Sequence, residues 1–90
     1  MATHFDHVSK YAHLVLDHAE KLDEIVNSGS DNRRNKPIAI SHFSGIKENI
    51  DKMKLPKWRA ERLKNAPYTD SDLKGHYYEY YANELEEWLD

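Results

Sequence analysis

Six histidines, thirteen lysines and arginines, sixteen carboxylates and six tyrosines are the groups in this 90-residue chain that could do chemistry. Cysteine is absent. That excludes disulfides, thiolate nucleophiles, iron–sulfur clusters and Cys-based zinc sites. His4 and His7 stand three apart, a spacing that puts both on one helical face within reach of one metal ion. His18 shares that side but sits ~21 Å further along, at ~1.5 Å of rise per residue, and cannot join them. A third ligand would have to come from His42 or His76, whose positions the sequence does not fix. His13 and Asp17 are four apart on a charged face. The His-x-x-x-His, His-x-x-x-Glu and Glu-x-x-His spacings of helical metal sites are missing, so no metal and no cofactor is expected. Full protonation of the histidines moves the formal charge from −3 to +3. Association through a charged face is therefore expected to change between about pH 7 and pH 5.

The charge is segregated. Residues 1–32 carry a balance of −4, residues 33–64 of +7 and residues 65–90 of −6. One reading is that the segments pack as neighbours and neutralise one another; another is that one pole faces a charged partner. In the basic segment Lys54, Lys57, Arg59, Arg62 and Lys64 lie around a proline turn, with Arg33 and Arg34 in the preceding loop. This pattern is compatible with gripping phosphates of a nucleic acid or nucleotide. No glycine-rich phosphate loop, helix-turn-helix turn or zinc-finger spacing accompanies it.

The carboxyl-terminal stretch is the most unusual. Tyr77, Tyr78, Tyr80, Tyr81 and Trp88 fall within twelve residues, interleaved with Glu79, Glu84, Glu86 and Glu87. Five aromatics spread over more than one helical face exceed what a single small core can hide. Tyrosine suits interfaces because it joins a large apolar body to a hydroxyl that tolerates water. Tyr78 and Tyr80 are the expected anchors, and Glu79, Glu84 and Glu87 would steer them toward a basic protein surface. Catalytic constellations are poor: no serine sits in a nucleophile-elbow context, and nothing pairs two carboxylates in an apolar pocket. No enzyme activity is expected.

These groups need elements to hold them. Phe5, Val8, Ala12, Val15, Ala19, Leu22 and Val26 recur at alternating spacings of three and four, with Leu16 widening the seam. They predict a helix near 3–27, with Thr3 as its cap and Gly29 as its left-handed stop. Asp6–Lys10 and Asp17–Lys21 are spaced to pair along it. Residues 28–36 form a polar loop. Pro37 suits the first turn of a second helix near 37–54, with Ala39, Phe43, Ile46, Ile50 and Met53 as its buried stripe. Gly45 costs ~1 kcal/mol there relative to alanine and points to a kink or a close helix crossing. Leu55-Pro56 breaks the chain. A short third helix near 56–65 follows, anchored by Trp58 and Leu63 and stopped at Ala66-Pro67. Thr69, Asp70 and Ser71 are competent caps for a fourth helix near 70–89, burying Leu73, Tyr77, Tyr81, Leu85 and Trp88.

The expected fold is all-α: a small single-domain helical bundle, three long helices plus one short helix closing one end. Leu, Ile, Val and Phe make up only 20% of residues, so tyrosine and tryptophan must supply much of the core. No apolar run approaches the ~20 residues of a membrane span, and no signal peptide follows Met1. A cytoplasmic protein without membrane contact is expected. The function expected is protein binding, of the type of a small virus-encoded inhibitor or regulator of a host protein; phosphate binding through residues 33–64 is the alternative. The long first seam and the surplus of aromatics also leave room for a homo-oligomer.

Overall fold

A computed structural model describes residues 4–28, 32–73 and 75–89, with side chains for 8–28, 36–70, 72–73 and 75–89. Thr3 and Gly29 lie outside the described residues, as do the side chains of His4, Phe5, Asp6, His7, Arg33 and Arg34. The chain is all-α among the described residues. The helices are α1 (His4–Asn27), α2 (Asn32–Lys52), α3 (Lys57–Thr69) and α4 (Tyr77–Glu84), with 3₁₀ turns at Ser71–Leu73 and Glu86–Trp88.

The amino-terminal seam folds as its spacing requires. Val8, Ala12, Val15, Leu16, Ala19 and Leu22 are buried, and Val26 packs at the edge. At 24 residues α1 is ~36 Å long at ~1.5 Å per residue. Lys21 pairs with Glu24, at 3.6 Å, rather than with Asp17. Pairs this exposed contribute little either way.

Helix α2 runs antiparallel to α1: His18 meets His42, and Tyr11 meets Lys52 one end further on. It begins at Asn32, five residues before Pro37, so Pro37 sits inside the helix rather than at its start. The missing N–H falls where only the Arg33 carbonyl loses a partner, close to the helix end. Gly45 makes the close crossing: a Cβ there would lie 2.4 Å from Nε2 of His18. One turn later buried Asn49 returns its Nδ2–H to the Gly45 carbonyl, at 2.8 Å. The helix ends at Lys52, and Lys54 follows with φ +57, a left-handed exit usually given to glycine.

Helix α3 extends to Thr69 and carries Pro67 inside it. Proline at 67 removes the donor that the Leu63 carbonyl would receive from the next turn. The buried Tyr81 hydroxyl donates to that carbonyl instead, at 3.0 Å. A tertiary hydrogen bond thus lets the helix pass a residue that should stop it. Trp58 is not an anchor of this helix; it is 65% exposed. Leu63 and Ala66 are the buried side, and Trp58 stands five residues from Leu63, about 140° around the axis.

The single fourth helix expected over 70–89 is broken. Gly75 adopts φ +88, a backbone that side chains rarely take. A Cβ there would also lie 2.5 Å from Oδ1 of Asn27. Asp70 does act as a cap, but for the 3₁₀ turn, accepting from the Asp72 N–H at 3.0 Å. The result is two long helices, one of thirteen residues and a fourth of eight. Helix α4 packs on α1, and α3 on α2.

Candidate functional site

Eight residues rich in tyrosine make a weak helix alone. Its start is built from elsewhere. The first N–H groups of any helix lack partners, and an anion there complements the helix dipole. No side chain beside α4 supplies one; His76 stands at its N-cap without a capping bond. Asp23 of α1 does. Its two carboxylate oxygens accept from the N–H groups of Tyr77, at 2.7 Å, and Tyr78, at 3.0 Å. One turn further along α1, the Asn27 amide donates to the Gly75 carbonyl at 3.2 Å. Asp23→Ala is expected to destabilise the protein by ~1–2 kcal/mol, with Asp23→Asn losing less. Urea denaturation checks this, and an unchanged midpoint for Asp23→Ala would remove the anchor from the account.

With its start fixed there, α4 turns Tyr77 and Tyr81 inward. Both are buried, and Leu85 follows on the same face. Phe43 meets the Tyr77 ring edge-on, with centroids 5.6 Å apart. Burial, then the Asp23 carboxylate, pushes the Tyr77 phenol above its ordinary pKa. Burial, then Tyr80 and Tyr77, pushes Tyr81 up further. Both are neutral hydroxyls near pH 7. Tyr80 is half-buried and packs edge-on against Tyr81, 5.0 Å between centroids. Burial and then Glu84 raise its pKa, with Arg62 opposing. Trp88 is also half-buried. Of the five carboxyl-terminal aromatics, Tyr78 alone is exposed, at 44%.

The two sets of candidate residues, acidic and basic, meet each other. The Arg62 guanidinium donates to the Glu84 carboxylate at 2.6 Å. Arg59 pairs with Glu87 at 2.7 Å, donates to the Glu84 carbonyl at 2.7 Å and lies 4.6 Å from the centre of the Trp88 ring. Lys64 reaches Asp51 at 2.7 Å. Thus Arg59, Arg62 and Lys64, expected to face phosphate, are held by carboxylates of this same chain. Glu84 and Glu87, expected to face a partner, hold two of them. Lys54 and Lys57 are exposed and form no ion pair among the described residues, as is true of Glu79.

What remains open among the described residues is a mainly acidic surface. Asp72, Leu73, His76, Glu79, Tyr80 and Asn83 line a shallow groove of about 380 Å³ between the first 3₁₀ turn and α4. Asn83 also lines a second open depression of about 510 Å³, with Arg59, Glu84, Glu86 and Glu87. Tyr78 lines neither; it precedes Glu79 on α4, on the flank opposite Tyr80. Together the two depressions present five carboxylates, one imidazole and the Arg59 guanidinium, which Glu87 pairs. Among the described residues no group of three or more His, Cys, Asp or Glu is placed to hold a metal ion. No helix among them is long and apolar enough to cross a membrane.

Sequence reasoning missed Asp23, Asn27 and Gly75, which place α4. Gly75 carried a local signal, as a lone glycine inside an apolar repeat. Asp23 carried none, since it reads as one more charge on the polar face of α1. The class that fold and site define is a small all-α protein with an acidic, tyrosine-bearing carboxyl-terminal face. No family model, curated protein or solved structure matches the chain.

Proposed function

We propose that this chain is a non-catalytic protein-binding module that receives a basic partner surface on the face formed by the Ser71–Leu73 turn, α4 and the Glu86–Trp88 turn. One observation carries it: Arg59 and Arg62 are already matched by Glu87 and Glu84, while Asp72, Glu79 and Glu86 have no ion-pairing cation among the described residues. Among the described residues the uncompensated charge at this end is negative, and Tyr78 borders it beside Glu79, on the other flank of α4 from Tyr80. Tyr78 and Glu79 are the contact residues of this reading. Tyr80 lines the groove itself, on the other flank of α4, and Glu84 and Glu87 shape the face through their arginines. An inhibitor or regulator of a larger protein fits this design, because a small rigid face can block without chemistry.

The test is affinity capture from the native host, after nuclease, with wild type and Tyr78→Ala. The Tyr78 side chain makes no hydrogen bond or ring contact with the described residues, so the variant is expected to keep its circular dichroism spectrum. Loss of a hot-spot tyrosine, ~2 kcal/mol, weakens the captured protein about 30-fold. Equal capture by both proteins would reject the face.

A second reading is favoured by one feature. Trp58 is 65% exposed on α3, with the Arg62 guanidinium 5.6 Å from its ring centre and Lys57 beside it in sequence. An open indole among cations can stack a base of single-stranded nucleic acid. A gel-shift titration at two salt concentrations separates the readings: phosphate binding falls steeply with salt.

A further inference from the structure

The half of α2 that precedes Gly45 is held differently from the half that follows. After it, Ile46, Asn49, Ile50 and Met53 are buried. Before it, no described side chain is buried: Ala39, His42 and Phe43 are half-covered and the rest exposed. Phe43 leans on Tyr68 and Tyr77, away on α3 and α4. The polar tie to α1 is His42. Its Nδ1 lies 3.0 Å from Nδ1 of His18, with ring centroids 5.2 Å apart and planes at 52°. The Nε2 edge of His18 fills the space that a side chain at position 45 would need.

A hydrogen bond between two Nδ1 atoms requires one proton between two nitrogens. One ring donates and the other accepts, so the contact survives with at most one ring charged. With both protonated, each Nδ1 aims a hydrogen at the other and two positive charges face across 3.0 Å. Lys21 of α1 adds a third positive charge to the field at His42, while α3 and α4 contribute no charged group to it. Neither ring has a carboxylate in ion-pairing distance among the described residues. Burial first, then His18 and Lys21, accordingly hold His42 below the usual histidine value.

We propose that the His18–His42 contact is a proton-operated latch, which holds the amino-terminal half of α2 on α1 and releases it when both rings are protonated, leaving the buried half of α2 in place. The sign follows from linkage. The closed form takes up the second proton less readily than an open form with ordinary histidines. Closure is therefore complete above about pH 6.5 and weakens as pH falls below it. Such a device would alter the hairpin over a mild pH range without unfolding the protein.

Amide hydrogen exchange on the full chain, expressed as protection factors, tests it at about pH 7.5 and about pH 5.5. Amides of residues 38–44 are expected to lose protection severalfold at the lower pH, up to about tenfold, the limit for one excluded proton one pH unit below the ordinary histidine value, while those of residues 46–52 keep theirs. His42→Gln, a neutral hydrogen-bonding replacement, should show equal protection of 38–44 at both values. Unchanged protection in wild type, or an undiminished response in His42→Gln, overturns the latch. If His42→Gln does not fold, the ring-nitrogen shifts of the wild type decide. One ring staying neutral well below about pH 6.5 supports the latch, and both rings titrating together there overturns it.

Discussion

Tyr81→Ala should cost ~3–5 kcal/mol, the largest loss expected from any single truncation in this chain. The ring is fully buried and packs edge-on against Tyr80. Its hydroxyl is the donor that Pro67 denies to the Leu63 carbonyl, so truncation opens a cavity and leaves a buried acceptor unmatched. Against a total of ~5–10 kcal/mol, usual for a domain of this size, the variant would be near unfolding at room temperature. Tyr81→Phe separates the two effects. It keeps the packing, loses only the hydrogen bond, and should cost ~1–3 kcal/mol. Urea denaturation of both variants checks the pair. If Tyr81→Phe were as stable as wild type, the hydroxyl would not be what carries α3 past Pro67.

Ile46→Ala is expected to cost ~2–5 kcal/mol, and Phe43→Ala clearly less although it removes the larger side chain. The periodicity of α2 treats the two as equal members of one stripe. The structure separates them: Ile46 is 1% exposed in the α1–α2 contact, whereas Phe43 is half-covered at its edge. The reason lies at Gly45, where the helices approach most closely over the His18 ring. Residues following it are enclosed, and residues before it are not. Thermal melts of the two variants measure the order. A Phe43→Ala protein less stable than Ile46→Ala would place the packed part of α2 one turn earlier.

Much of α1 was legible because a 3–4 repeat of apolar residues leaves one way to bury a helix. Gly45 was legible as a close crossing, since a glycine inside a helical pattern costs stability that something must offset. The failures share a cause. Pro67, Trp58 and the 70–89 stretch were read by local rules, and long-range contacts decided each. A hydroxyl from α4 carries α3 past Pro67. The angular position of Trp58 relative to Leu63 outweighs its apolarity. Gly75, seated against Asn27, divides a pattern that looked continuous. At the candidate site, the segment balances of −4, +7 and −6 anticipated neutralisation but not which carboxylate meets which arginine. The pairings Arg59–Glu87 and Arg62–Glu84 depend on how α3 lies beside the carboxyl-terminal segment, which no local spacing encodes. The same holds for His18 and His42, twenty-four positions apart.

The dependence of α4 on Asp23 also governs the order of assembly. Eight residues fall below the ~12–15 at which a lone helix persists in water. The carboxylate that begins it, on Asp23, lies 54 positions before Tyr77 in the chain. During synthesis the tail must wait, as coil, for a finished hairpin to dock on. A synthetic peptide copied from the last twenty residues would carry every tyrosine and glutamate of the acidic face and none of its shape.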